Sequence, residues 1–463
     1  MNLRSFYPKN LRADFWWWTG LAAILWLFHF THDLNSDEGI ILNGAWNLIN
    51  QRALYYDFFE YMPPGAFYLV FGVWKLLGVS YAAAKIVSVL FIFLGAIGIY
   101  KTSRMISEGN AVYLTPLAFI AASIFWPVIN HNTYSTIAAV WAVYFFISAW
   151  RAGLWRNYFF SGLLIGITIL CLQQKGISLL AAESLWLVFF IFKNKSVSLA
   201  RGALALIIGA LLPIVLVFLK WPPNLLYKNL ILYPLENYTR NEAVAPPVLL
   251  LFLIAGLIYI VWTKRKENNR DLSVLAFIQL FLLSSAFVNP DAVHVIMASF
   301  VFFIIWPLVW TGIGSASGWR KYAPAFVYLV VALVIAETFI VGLLYLPPFY
   351  SIKEMPAIRF IKDNCRESDY IYAGPFLPGM YFETRKLNPV PYHILLSVFQ
   401  TEEQFIEARR ILAEHSPACA VLNYRLTEKW DHNLDNPVDR YIRDNCEPVF
   451  RDGDKIVCKF RKK

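Results

Sequence analysis

Long apolar runs separated by short polar stretches fill the first 346 residues. A helix needs about 20 apolar residues to cross the hydrocarbon core. Runs near that length fall at 15–30, 81–100, 111–128, 136–150, 158–172, 177–192, 203–219, 248–262, 272–288, 293–310 and 323–346. The pattern predicts a polytopic α-helical membrane protein with about 11 transmembrane helices. The segment "PPGAFYLVFGVWKLLG" at 63–78 is apolar but short and opens on a Pro pair, so it is expected to be re-entrant or interfacial. From 347 to 463 the pattern changes. "IRFIKDNCRESDYIYAG" reads as helix, turn and strand. "TEEQFIEARRILAEHSPACAVLNY" reads as an amphipathic helix, with Phe405, Ala408, Ile411 and Leu412 on one face, then a strand. "RDGDKIVCKF" has Asp-Gly turn chemistry before an alternating strand. These elements predict a small α/β domain over 347–463, after a transmembrane domain over 1–346.

Composition agrees with a membrane setting. The chain is 58% hydrophobic and 16% charged, against about 25% charged in soluble domains. The net charge of +10 reads as positive-inside anchoring, and nucleic acid is not expected as a partner. One set of helix ends carries Arg4, Lys9, Arg12, Lys101, Arg104, Arg151, Arg156, Lys193, Lys195, Arg201, "KRKENNR", Arg320 and Lys321. That asymmetry places the N-terminus in the cytoplasm of a multi-pass protein of the plasma (inner) membrane. An odd number of spans then places the C-terminal α/β domain outside, with outer loops at 32–80 and 220–247. The first apolar run is long and lacks a small-residue cleavage site, as expected for a retained span. Of the five cysteines, Cys171 falls within a span. Cys365, Cys419, Cys446 and Cys458 fall in the outer domain, where oxidation is permitted and three pairings are open.

Charge matters most at the outer rim. "HDLNSDEGIILNGAW" follows the first span and carries Asp37 and Glu38 at the start of a helix. Ile41, Leu42, Ala45, Trp46, Leu48 and Ile49 share one face, with Gly39, Asn43, Asn47 and Asn50 opposite, which predicts an interfacial helix lying apolar side down. Asn35 and Glu38 have capping-box spacing, so the acids also have a plain structural role in the first turn. Other outer ends add Asp57 and Glu60, then His131 in "NHNTYS", Lys175 in "LQQKG", Arg240 in "YPLENYTRNE" and His294 in "NPDAVH". Ionisable groups gathered at one membrane depth point to function. A carboxylate suits a general base toward a hydroxyl, and Lys, Arg and His suit charge on a departing phosphate.

These residues resemble the polyprenyl-phosphate-dependent glycosyltransferases of the GT-C fold, the group around the dolichyl-phosphate-mannose protein mannosyltransferases and the aminoarabinose transferase of lipid A. The sharpest match is "DEGIILNGAWNLINQRALYYDFFEYMPPGAFYLV", similar to that family's Asp-Glu pair, helix, Tyr-x-Asp and Pro-Pro segment. The resemblance implies an inverting hexosyl- or pentosyltransferase. It would move a sugar from a polyprenyl-phosphate donor to a glycan, lipid or protein hydroxyl, among membrane lipids. It implies Asp37 as base with Glu38 beside it, and Asp57 and Glu60 ordering the acceptor or the loop. Lys175, Arg240, His294 and His131 are implied at the donor phosphate. Val295 and Ile296 follow His294 where the family often has Tyr and a Pro-containing span. No ligand spacing demands a metal, and a divalent cation, Mg²⁺ or Mn²⁺, is compatible with the outer carboxylates and a phosphate. The competing reading is a transporter or flippase for a lipid-linked or anionic substrate, working through Glu183 and Glu337 inside the spans.

Overall fold

The computed structural model describes residues 11–30, 34–107, 110–124, 126–237, 270–288, 292–305, 340, 355–415 and 417–461. The first nine α-helices to position the site are α1 (Leu11–Phe30), α2 (Ser36–Ile49), α3 (Gly65–Leu77), α4 (Tyr81–Ile106), α5 (Leu114–Ile124), α6 (His131–Ala152), α7 (Trp155–Cys171), α8 (Gln173–Asn194) and α9 (Val197–Lys220). Among the described residues α4, α6, α8, α9 and Arg270–Phe287 are long and apolar enough to cross a membrane, and α3, α5 and α7 are shorter apolar helices. The chain is a multi-pass membrane protein. The predicted run 111–128 yields only the 11 residues of α5. The run 293–310 begins as Ala292–Ala298 and is interrupted at Ser299. The expected spans 248–262 and 323–346 lie outside the described residues, residue 340 apart.

Helix ends follow local chemistry. Ser80 caps α4 by accepting from Ala83 N, and Asn130 caps α6 by accepting from Asn132 N. Gly153 ends α6 in the left-handed region, where a residue without Cβ is unstrained. Within the bundle α7 and α9 touch backbone to backbone. A Cβ on Gly162 would stand 2.0 Å from Leu206 O, and one on Gly209 would stand 2.2 Å from Phe159 O. Lipid tails are as apolar as leucine, so small residues and close packing hold such pairs together.

The helix α2 differs from expectation. Ile41, Leu42 and Ala45 do form an apolar face, packed with Phe67, Val70 and Trp74 of α3. Yet Gly39, Asn43 and Asn47 on the other face are buried too. The cover comes from the C-terminal part of the chain. A Cβ on Gly39 would meet Gly379 N at 2.5 Å, at the start of helix Gly379–Thr384. Ser36 Oγ donates to Phe376 O (3.0 Å), Trp46 Nε1 to Lys386 O (2.9 Å) and Arg52 Nη1 to Asn388 O (2.8 Å). Thus α2 is clamped between membrane bundle and C-terminal unit.

That unit surrounds a four-stranded sheet of order β1-β2-β4-β3, with β1 (Ile371–Gly374), β2 (Cys419–Leu422), β3 (Cys446–Asp452) and β4 (Lys455–Phe460). β1 and β2 are parallel, and helix Glu402–His415 lies between them in sequence, burying Phe405, Ala408 and Leu412. β3 and β4 form an antiparallel pair around Gly453, whose φ is +58°. Of the three possible pairings, the cysteines adopt Cys365–Cys419 and Cys446–Cys458. Cys171 is free and buried.

Candidate active site

The N-termini of α2, α4, α6 and α8 meet at one end of the bundle, and Glu38 joins three of them. Asn35 caps α2, and Glu38 completes the capping box by accepting from Asn35 N. Its other contacts are long-range. Oε2 accepts from Tyr81 Oη at 3.0 Å, while Oε1 pairs with Lys85 Nζ at 2.5 Å and accepts from Ile129 N at 2.8 Å. Glu38 and Lys85 are both fully buried. Lys85 also donates to Pro127 O. A buried carboxylate is tolerable only when paired and hydrogen-bonded, and Glu38 is both.

Lys175 occupies the first turn of α8 and is 1% exposed. Its ammonium donates to Asn132 Oδ1, to Thr136 Oγ1 (2.7 Å) and to Asn132 O (3.4 Å). Among the described residues these hydrogen-bond partners are neutral, in contrast to the pairing of Lys85. His131 opens α6 and lies within electrostatic reach of Lys175 and His294. His294 is carried there by helix Ala292–Ala298, anchored where Thr136 Oγ1 donates to Met297 O at 3.3 Å. Aligned helix N-termini add partial positive charge. The basic residues Arg104, Arg151 and Lys193 occupy the last turns of α4, α6 and α8, at the far end of the bundle.

The structure therefore gathers Glu38, Lys175, His131 and His294, with Asp37 part-exposed beside Glu38 in the first turn of α2. Asp57 stands apart and exposed, where Oδ2 accepts from Ala53 N at 2.6 Å and its carbonyl accepts from Arg52 Nη2 at 2.9 Å. Glu60 is buried with its Oε1 3.0 Å from His393 Nε2 of the C-terminal unit. Burial raises the Tyr55 phenol well above its ordinary value, and the charge of Glu60 adds to the shift. Arg240 and Glu337 lie outside the described residues. Glu183 is buried on α8 and accepts from Ser161 Oγ of α7 at 2.7 Å. Among the described residues no three His, Cys, Asp or Glu side chains cluster as metal ligands. Sequence reasoning missed Lys85. Its signal was a lone lysine in the apolar run "YAAAKIVSVLFIFLG", four residues after Tyr81.

The sequence model of the family described as dolichyl-phosphate-mannose-protein mannosyltransferase matches residues 62–221, the stretch that carries Lys85, His131 and Lys175. No curated protein matches the chain in sequence. Similar solved structures include ArnT from Cupriavidus metallidurans bound to undecaprenyl phosphate. It is 14% identical, with 97% of this chain and 98% of that one covered and a TM-score of 0.63. The Archaeoglobus fulgidus oligosaccharyltransferase tethered with an acceptor peptide containing the NVT sequon is 10% identical. There 97% of this chain and 74% of that one are covered, with a TM-score of 0.53. The same archaeal enzyme complexed with Zn and sulfate gives 12%, 89%, 68% and 0.52. These neighbours are GT-C fold glycosyltransferases, and the chain shares their fold. The resemblance carried by the first outer loop is borne out at that level.

Proposed function

We propose that the chain is a glycosyltransferase that moves a hexose or pentose from a polyprenyl-phosphate donor to an acceptor hydroxyl. The observation that carries this reading is Lys175, buried with neutral partners where the N-terminus of α8 meets that of α6, taken with the part-exposed Asp37 at the start of α2. Such a cluster attracts an anion, and a phosphate on a lipid is the anion a membrane rim receives. The family match over 62–221 and the neighbour crystallised with undecaprenyl phosphate support the same donor class.

In the proposed step the acceptor oxygen attacks the anomeric carbon, the bond from that carbon to the phosphate oxygen breaks, and Asp37 takes the hydroxyl proton. Lys175, His131 and His294, with Arg240 from the second outer loop, meet the charge on the leaving polyprenyl phosphate. Glu38 has both oxygens engaged by protein donors and serves to position Asp37. That leaves one acting carboxylate, which fits a single displacement with inversion. A Mg²⁺ or Mn²⁺ ion at this rim would rest on Asp37 and the phosphate oxygens. The acceptor is a glycan, lipid or protein reached from outside, because the basic helix ends lie opposite the site and the sheet unit carries two disulfides. The test is transfer from a polyprenyl-phosphate sugar by protein in liposomes. Asp37→Asn is expected to lower the rate at least about 100-fold, and near wild-type transfer would overturn the assignment.

A further inference from the structure

We infer that Ser36 is a positioning residue for the proposed base, and that through it the C-terminal unit sets the direction of Asp37; this rests on the transferase reading. Ser36, Asp37 and Glu38 open α2 in succession, after the Asn35 cap. Successive side chains on a helix fan out by about 100°. The outer two of the three are tied to different bodies. Glu38 is held by the bundle, through Tyr81, Lys85 and Ile129 N. Ser36 Oγ donates to Phe376 O of the C-terminal unit at 3.0 Å. Asp37 leaves the helix between these two anchors and is part-exposed.

A second contact from the same unit grips the same turn. A Cβ on Gly39 would stand 2.5 Å from Gly379 N and 3.2 Å from Pro378 Cγ, and one on Gly379 would stand 2.7 Å from Leu34 Cδ2. The segment 376–379 therefore fixes the turn on both sides of Asp37, at Ser36 before it and at Gly39 after it. Trp46 and Arg52 also bond to this unit, but they lie beyond the first turn and dock the unit without touching it.

The carbonyl that Ser36 meets is itself held in place. Pro375 O accepts from Leu395 N at 3.0 Å, and Gly374 O accepts from Asn423 N at 3.1 Å. The Phe376 ring packs edge-on to Trp430, 4.9 Å between centroids, and is buried with Ile394 and Leu396 against Ile40 of α2. A hydrogen bond to a fixed acceptor orients the group that donates it. Orientation matters here because a general base must stand about 3 Å from the proton it takes, and a displacement of about 1 Å costs about 100-fold in rate. Loss of the Ser36 bond frees the first turn on one side, while Asn35 and Glu38 still hold the other. The chain then stays folded and Lys175 on α8 is untouched, so the chemical step slows while donor binding persists.

The experiment uses the full chain in liposomes, with a polyprenyl-phosphate hexose or pentose as donor and the cell's own extracted glycans and lipids as acceptors. Ser36→Ala removes the donating hydroxyl and leaves the Asn35 cap in place. It is expected to lower kcat at least about tenfold, with donor KM within about twofold of wild type and the unfolding temperature unchanged. Ser36→Thr keeps the hydroxyl and is expected to recover at least about half of the wild-type kcat. Phe376→Ala removes the ring that fixes the carbonyl and is expected to lower kcat as well. Because both act through one contact, the double variant Ser36→Ala/Phe376→Ala is expected to be no slower than the worse single variant. Wild-type kcat in Ser36→Ala would overturn the positioning role and leave the transferase reading standing. So would losses that multiply in the double variant, or a Ser36→Ala loss that appears only with a lowered unfolding temperature. No transfer by wild-type protein from either donor would overturn the transferase reading, and the inference with it.

Discussion

At the scale of single residues, two buried lysines at one rim differ in kind. Lys85 is matched by Glu38, so removing one partner strands the other. Lys85→Met is expected to destabilise the protein by about 3–5 kcal/mol, seen as a lower unfolding temperature in detergent. The double variant Glu38→Gln/Lys85→Met should recover much of that loss, because no charge is then left buried. A loss in the double variant equal to the sum of the losses in the two single variants would show that the pair is not coupled. Lys175 has neutral hydrogen-bond partners instead, so its burial costs stability unless an anion arrives. Lys175→Met is therefore expected to leave the unfolding temperature unchanged or raised, while the donor KM rises at least tenfold. A large drop in unfolding temperature with unchanged donor KM would make Lys175 a structural residue. Part of this was legible in the sequence. The capping role of Glu38 is local and follows from Asn35 three residues earlier. Its pairing with Lys85, 47 residues away, depends on how α2 meets α4, which no local pattern encodes.

At the scale of elements, α2 carries the most information. Its hydrophobic spacing marked an apolar face expected to lie in lipid, and Ile41, Leu42 and Ala45 of that face pack on α3 instead. The same spacing implied that Asn43 and Asn47 face water, yet they are 1% and 2% exposed. The reason lies some 340 residues downstream, where the chain returns to cover them. Gly39 makes that return possible. A methyl group there would meet Gly379 N at 2.5 Å, a backbone atom that cannot rotate aside. Gly39→Ala is expected to cost about 1–3 kcal/mol by overpacking and to loosen the C-terminal unit. Limited proteolysis should then cut faster near residues 376–388. An unchanged digestion pattern would mean that the contact yields more easily than the geometry implies. Helices Pro356–Asn364 and Glu402–His415 and strands β1, β2 and β4 were readable from local pattern, whereas helix Pro437–Asn445, strand β3 and the disulfide pairing were not.

At the scale of the whole molecule, the arrangement makes one side of the membrane chemically distinct. Tyr81, His131 and Lys175 stand at the starts of α4, α6 and α8, while Arg104, Arg151 and Lys193 stand at their ends. The C-terminal unit packs on α2 and the first loop and carries Cys365–Cys419 and Cys446–Cys458. Positive-inside bias and disulfides are independent indicators, since one reflects insertion and the other redox compartment. Both support the proposal of a site on the outer side, where a lipid-linked donor head group is accessible and cytoplasmic nucleotide sugars are not. Alkaline phosphatase fused after residue 461 should be active in a bacterial host, whereas a green fluorescent protein fused there should stay dark. Maleimide reagents should label Cys365, Cys419, Cys446 and Cys458 only after reduction. A bright fluorescent fusion, with cysteines labelled without reductant, would invert the topology. It would also move the proposed acceptor to the cytoplasmic side.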